Sequence, residues 1–283
     1  MEVKLVDLNG PDAPRLVTES LIQSGFAVLT NHAISTKEIT DFYASWEDFF
    51  LKGNPEQFLT DGASQKGYFP PSLAETAKGN DAQDLKEYFQ YWPGGDLPSH
   101  LSGMTKNFFD EITTLGELVM MWLESHTDKN LWEKLERPFK DYLSKEHTLL
   151  RILRYPAQTG KPAPKSVRAA AHEDINLITM LPAANQSGLE LKSKSTGEWF
   201  PVEAPAGSIV VNIGDMLQEL TEGILPSTPH RVVNPTGEAA LSSRMTAPVF
   251  CHPAPDLRLS ERYTAGSYLE ERLSEINLGE LTS

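Results

Sequence analysis

The order of apolar and polar positions along the chain changes character near residue 147. Before it, apolar residues recur at helical spacing. After it, they come in short runs cut by Gly, Pro and Asn. The stretch "PDAPRLVTESLIQSG" predicts a helix over 11–25 that stops at Gly25, a residue suited to helix ends. "FAVLT" (26–30) predicts a strand, closed by the turn "NHAIS". Ser35 followed by Glu38 has capping-box spacing. Behind it Ile39, Phe42, Tyr43, Trp46, Phe49 and Phe50 share one face of a second helix that Gly53 ends. That aromatic stripe reads as core packing. Residues 54–102 read as loop, broken by "KGYFPPS" and "YWPGGDLP". A long helix is expected around 104–126, and another in "NLWEKLERPFKDYLSKE", interrupted near Pro138.

Past 147 the runs "HTLLRILRYP", "NLITML", "LELKS", "EWFPVE", "SIVVNIG", "HRVVNP" and "SRMTAPVFCHP" predict short strands, and "SYLEERLSEI" returns to helix. The expected fold class is α+β: a mainly helical region over 1–146 packs on a double-sheet, jelly-roll core over 147–283 with its C-terminal helix, forming one compact unit.

Composition narrows the function. The 283 residues can bury a large core, and no stretch has the length and apolarity of a membrane span. The start, "MEVKLVDLNG", does not read as a targeting segment, so a cytoplasmic location is the simple expectation. With 25 basic and 39 acidic residues the net charge is −14, which argues against nucleic acid and anionic membrane surfaces as partners. A single cysteine, Cys251, excludes an internal disulfide and a thiolate cluster; it reads as packing. A metal site here has to use His, Asp and Glu.

"AAHEDINLITML" (170–181) supplies such a site. Read as a strand, it projects His172 and Asp174 to one face, as adjacent ligands, with Glu173 turned away. His230 in "PSTPHRVVNP" is the best third ligand. Two imidazole nitrogens and one carboxylate on one face of an octahedron suit ferrous iron and leave three positions open. His32 fits the turn after the first strand, and His100, His126 and His147 have no spacing that links them to this set. Arg244 and Thr246, two apart in "SRMTAPVF", form a carboxylate receptor on a strand predicted to be interior. A buried arginine needs an anionic partner. A 2-oxo acid with a second, distal carboxylate fits iron and arginine together.

These segments resemble the isopenicillin-N-synthase-like branch of the iron(II)- and 2-oxoglutarate-dependent oxygenases, over nearly the whole chain. "GFAVLTNHAIS", "KGYFPP", "DLKEYFQYWP", "LRYP", "HEDINLITML", "PAGSIVVNIGDMLQELTEGILPSTPHRVVNP" and "RMTAPVFCHPAPD" each match a block of that family. The resemblance implies a double-stranded β-helix core and a dioxygenase that uses Fe(II), 2-oxoglutarate and molecular oxygen on a small-molecule substrate. It places iron on His172, Asp174 and His230, and the distal carboxylate of 2-oxoglutarate on Arg244 and Thr246 with Tyr155 as a third contact. Threonine replaces the family's serine after the arginine, which keeps the hydroxyl. Leu153 stands where plant members carry asparagine, and "TGEAALSS" suggests a longer hairpin before Arg244.

Asn176 and Phe250 are expected to share the strand faces of the ligands and the anchor, as candidate substrate contacts. His252 is a further candidate on the Arg244 face, and Tyr68 with Phe69 could close the mouth. The alternatives are a 2-oxoglutarate-independent iron oxidase of the same fold, with Arg244 on the substrate carboxylate, a metal-holding protein without turnover, or a zinc hydrolase. The last lacks a general base placed by motif. Oligomeric state is left open by the sequence.

Overall fold

A computed structural model describes residues 3–62, 65–73, 85–133, 135, 137–158 and 167–275. Strand β1 (Leu5–Asp7) leads to helix α1 (Ala13–Ser24), which has Pro14 in its first turn. The helix ends at Gly25, whose φ of 72° is left-handed. A Cβ there would lie 2.4 Å from the Pro226 carbonyl oxygen, so both the turn and the close approach require glycine. Strand β2 (Phe26–Thr30) follows and pairs with β1 in parallel. Helix α2 (Thr36–Lys52) carries the reciprocal capping box between Ser35 and Glu38, and its six expected apolar residues are all buried.

Two expectations change in the next stretch. Residues 54–102 hold strands β3 (Gly67–Phe69) and β4 (Glu87–Tyr91). β4 is buried at all five positions, so no alternation of polarity advertises it. After α3 (Ser102–His126), the helix expected over "NLWEKLERPFKDYLSKE" is replaced by short 3₁₀ turns at Lys129–Leu131, Phe139–Tyr142 and Lys145–His147. Pro138 cuts the segment into pieces too short to sustain a helix. Phe139 instead stacks on Trp132 at 4.3 Å, and its N–H donates to Glu124 at the end of α3.

The chain continues through β5 (Leu149–Tyr155), β6 (Ala169–His172), β7 (Ile178–Pro182), β8 (Leu189–Lys192), β9 (Trp199–Pro201), β10 (Ile209–Ile213), α4 (Asp215–Leu220), β11 (His230–Val232), β12 (Arg244–Thr246), β13 (Val249–Cys251) and α5 (Ala265–Glu275). Among the described residues these strands form two sheets. The larger has the order β1-β2-β10-β7-β13-β5-β4-β3 with β12 also on β5, and the smaller has β6-β11-β8-β9. This is an α+β fold with a jelly-roll core. Four of the larger sheet's strands, β1 to β4, come from the first 146 residues.

Pleating divides the larger sheet into two chemistries. Ala27, Ile178, Met180, Val211, Val249 and Cys251 point to one side and merge with α1, α2 and α3 in the main core. Gly116 lets α3 press close: a Cβ there would sit 3.4 Å from Cys251 Sγ and 3.5 Å from Met180. Burial pushes the Cys251 thiol up to about 12, in keeping with a packing role. On the other side, Phe26, Val28 and Val210 meet Leu189 and Leu191 of the smaller sheet, and Phe69, Tyr88, Leu153 and Tyr155 cluster at the far end. The polar residues of interest lie between these two apolar patches.

Candidate metal centre and carboxylate anchor

"HEDINLITML" is not one strand. β6 ends at His172, the chain crosses from the smaller sheet to the larger, and β7 starts at Ile178. The crossing is fixed by the start of α4, whose orphan N–H groups need acceptors. Asp215 N–H donates to the Asp174 carbonyl at 2.7 Å and Met216 N–H to the Asn176 carbonyl at 3.1 Å. His172 and Asp174 still converge, through this crossover rather than through strand alternation.

His172 and His230 are direct cross-strand partners on β6 and β11, with ring centroids 4.4 Å apart. Each Nδ1 lies against the carbonyl two residues earlier, His172 on Ala170 at 2.8 Å and His230 on Thr228 at 3.1 Å. That bond places the proton on Nδ1 and leaves Nε2 as a lone pair. Both Nε2 atoms lie 3.7 Å from Asp174 Oδ1. The other carboxylate oxygen, Oδ2, accepts from Thr179 Oγ1 at 2.6 Å and Asn212 Nδ2 at 2.8 Å. One ligand atom from each residue thus falls within 4.8 Å of the others.

The protonation states suit a cation. Burial works to raise the Asp174 carboxyl, but His230, His172 and the bonds from Thr179 and Asn212 outweigh it and hold the group below its ordinary value. Burial pushes His230 below its ordinary value against the pull of Asp174. A carboxylate and neutral imidazoles are the forms that bind a metal. Glu173 is half-buried within the field of Asp215, and burial raises both carboxyls.

The anchor lies further along the same interior. Arg244 and Tyr155 are register partners, as are Thr246 and Leu153. Arg244 is 3% exposed, its guanidinium 5.3 Å from the Tyr155 ring centroid. Its Nε donates to the Gln186 carbonyl at 3.2 Å. Arg244 Nη1 and Thr246 Oγ1 are buried without a hydrogen-bond partner. Unpaired donors at such depth are costly unless a ligand accepts from them.

The four candidate substrate contacts separate. Phe250 is the register partner of Thr179 and so shares the site-facing side, beneath the Arg151 guanidinium at 5.4 Å. His252 lies on the same side, near Trp92 and within the field of Asp174; burial pushes it down to about 4. Asn176 is fully buried behind the site, where its amide donates to Thr179 at 2.8 Å. It reaches the centre only through the Thr179–Asp174 bond, because the crossover takes it out of strand alternation. Tyr68 faces the helical side: it pairs with Phe89, packs against Phe50 and donates to Glu87 at 2.6 Å. The register of β3 on β4 turns Phe69, not Tyr68, toward the interior, where it stacks on Tyr88 at 4.6 Å. The sequence reading missed Asn212 and Gln186. Asn212 leaves a signal, a polar side chain inside the apolar run "IVVNI".

The sequence pattern of the 2OG-Fe(II) oxygenase superfamily matches residues 146–253. A structure from Shewanella oneidensis described as an oxygenase is 40% identical, with a TM-score of 0.88 over 98% of this chain and 99% of that one. A 2OG-Fe(II) oxygenase family protein from Caulobacter crescentus is 32% identical, with a TM-score of 0.80 over 97% and 99%. Feruloyl CoA ortho-hydroxylase 1 of Arabidopsis thaliana is 25% identical over 269 residues, 90% of this chain and 70% of that protein. The chain belongs to the 2-oxoglutarate- and Fe(II)-dependent oxygenases. It is an oxidoreductase of a family that works with Fe(II), 2-oxoglutarate and molecular oxygen. Among the described residues no helix is long and apolar enough to cross a membrane.

Proposed function

We propose that this chain hydroxylates a small organic molecule in the cytoplasm, with conversion of 2-oxoglutarate to succinate and carbon dioxide. His172, Asp174 and His230 hold the iron; Arg244 and Thr246, with Tyr155 beside them, hold the distal carboxylate of 2-oxoglutarate. One oxygen atom enters the substrate and the other enters succinate, so the co-substrate supplies two of the four electrons that dioxygen takes up and the substrate supplies the other two.

The observation that carries this reading is the pairing of two features in one interior. A His, Asp and His set converges, with Asp174 and His230 buried and His172 exposed, and unpartnered buried donors of Arg244 and Thr246 lie along the same face. The donor set fits ferrous iron, and the orphaned donors fit a carboxylate. The protein's own part is orientation and exclusion of water. Thr179 and Asn212 keep Asp174 Oδ1 toward the histidines, and the two Nδ1 bonds fix the imidazoles. Phe250 and His252 line the substrate side.

The test uses Fe(II)-loaded protein, 2-oxoglutarate and oxygen, with succinate as the product measured. Succinate release, stimulated by a bound substrate, is expected. His230→Ala is expected to lose iron, whereas Arg244→Leu keeps iron and needs far more 2-oxoglutarate. Substrate oxidation without succinate would overturn the reading in favour of an oxidase that uses Arg244 for the substrate itself.

A further inference from the structure

The floor of the site holds a second guanidinium. Arg168 immediately precedes β6, four residues before His172, and none of its surface is exposed. Its Nη1 donates to Gln186 Oε1 at 2.9 Å, while its Nε and Nη2 are buried with no partner. Those two atoms form one edge of the guanidinium, the edge that grips a carboxylate with two parallel hydrogen bonds. Arg244 takes the backbone carbonyl of the same Gln186, and both guanidiniums lie over the Tyr155 ring, at 5.8 Å for Arg168 and 5.3 Å for Arg244. Among the described residues neither arginine has a carboxylate within ion-pair distance.

Two like charges buried side by side without an acid are unstable unless an anion joins them. Burial and the neighbouring Arg244 together push Arg168 down to about 10. The unpaired donors here are Arg168 Nε, Arg168 Nη2, Arg244 Nη1 and Thr246 Oγ1. A carboxylate offers two oxygens with roughly four lone-pair sites, so one carboxylate can satisfy the whole set.

We propose that Arg168 is a second carboxylate-binding residue, which clamps the distal carboxylate of the 2-oxo acid from the side opposite Arg244 and makes the site selective for dicarboxylic over monocarboxylic 2-oxo acids. This rests on the assignment of Arg244 to the co-substrate. Gln186 is the shared partner: its side chain accepts from Arg168 Nη1 and its backbone carbonyl from Arg244 Nε, which leaves Arg168 Nε and Nη2 and Arg244 Nη1 for the ligand.

Co(II)-loaded protein provides the test without turnover. Dissociation constants are measured by calorimetry for 2-oxoglutarate and for 2-oxovalerate, which has the same chain length and a methyl group in place of the distal carboxylate. Wild type is expected to prefer 2-oxoglutarate by at least about 100-fold, since hydrogen bonds to charged groups are strong. Arg168→Met is expected to lower that preference by roughly 10- to 100-fold, with the 2-oxovalerate constant unchanged. Arg168→Lys, which keeps a charge and loses the fork, is expected to lie between and remains informative if the Met variant does not fold. A preference unchanged in either variant, or equal weakening of both acids, overturns the role of Arg168. Absence of any preference in wild type overturns instead the assignment of Arg244 to the co-substrate.

Discussion

Ile178 and Thr179 are neighbours in β7 and serve opposite faces of one sheet. Ile178 is fully buried against the helices, in contact range of Gly116 on α3. Thr179 is almost as buried, 2% exposed, but spends its hydroxyl on Asp174. The same contrast repeats along β10, where Val211 joins the helical core and Asn212 bonds Asp174, and along β12, where Met245 joins that core and Arg244 faces the interior. Strand alternation therefore keeps stability and chemistry apart at single-residue resolution. In β7, β10 and β12 the helical face can be packed tightly because these strands turn their polar side chains to the other side.

The contrast can be broken at each face. The largest effect belongs to the helical face: Ile178→Ala removes a well-packed side chain and is expected to cost about 2–5 kcal/mol in denaturant unfolding, with Co(II) affinity unchanged per folded molecule. Thr179→Val keeps shape and volume but removes the hydroxyl that holds Asp174. It is expected to weaken metal binding by roughly 10- to 100-fold, read by titration of the metal-free protein, with an unfolding cost of about 1–3 kcal/mol because the buried Asn176 amide loses its acceptor. A reversed pattern, with Thr179→Val unfolding the protein and Ile178→Ala releasing metal, would end the division of labour.

The smallest effect comes from His252. Its folded pKa is depressed to about 4 by burial, well below the ordinary value of 6.5. The unfolded chain then binds a proton that the native protein refuses, so stability is fully present above about pH 6.5 and is lost as pH falls toward 4. Between pH 6 and pH 5 the loss is about 1 kcal/mol. His252→Gln is expected to flatten that slope by the same amount, measured as the difference between urea unfolding curves of the two proteins across this range. Parallel curves would show that His252 is protonated in the native state.

How far the sequence foretells this molecule follows from periodicity. α1, α2 and α3 carry a single apolar face each, and stop or cap residues at Gly25, Ser35 and Gly53 make the C-terminal end of α1 and both ends of α2 visible in the pattern, whereas α3 has no such marks. β3 and β4 were invisible because both faces of β4 are covered and the surrounding Gly and Pro dominate the stretch. The His172, Asp174 and His230 set was legible as spacing, yet the reason behind the spacing differed. Strand alternation cannot place Asp174, since its segment leaves the smaller sheet to cap α4. Tyr68 failed as a site-facing residue for the same kind of reason: only the pairing register of β3 with β4 decides which of Tyr68 and Phe69 turns inward, and no local pattern records that register. Arg168 gives no periodic signal at all. Its meaning appears only when folding brings Gln186 and Arg244 beside it.

The three metal-facing side chains do not belong to one layer. Both histidines stand on strands of the smaller sheet, while the carboxylate is fastened to the larger one through Thr179 and Asn212. An ion coordinated by all three is therefore a rivet between the two halves of the sandwich. Such an ion would resist separation of the two sheets, so its removal is expected to loosen the contact between them before it disturbs the helical side.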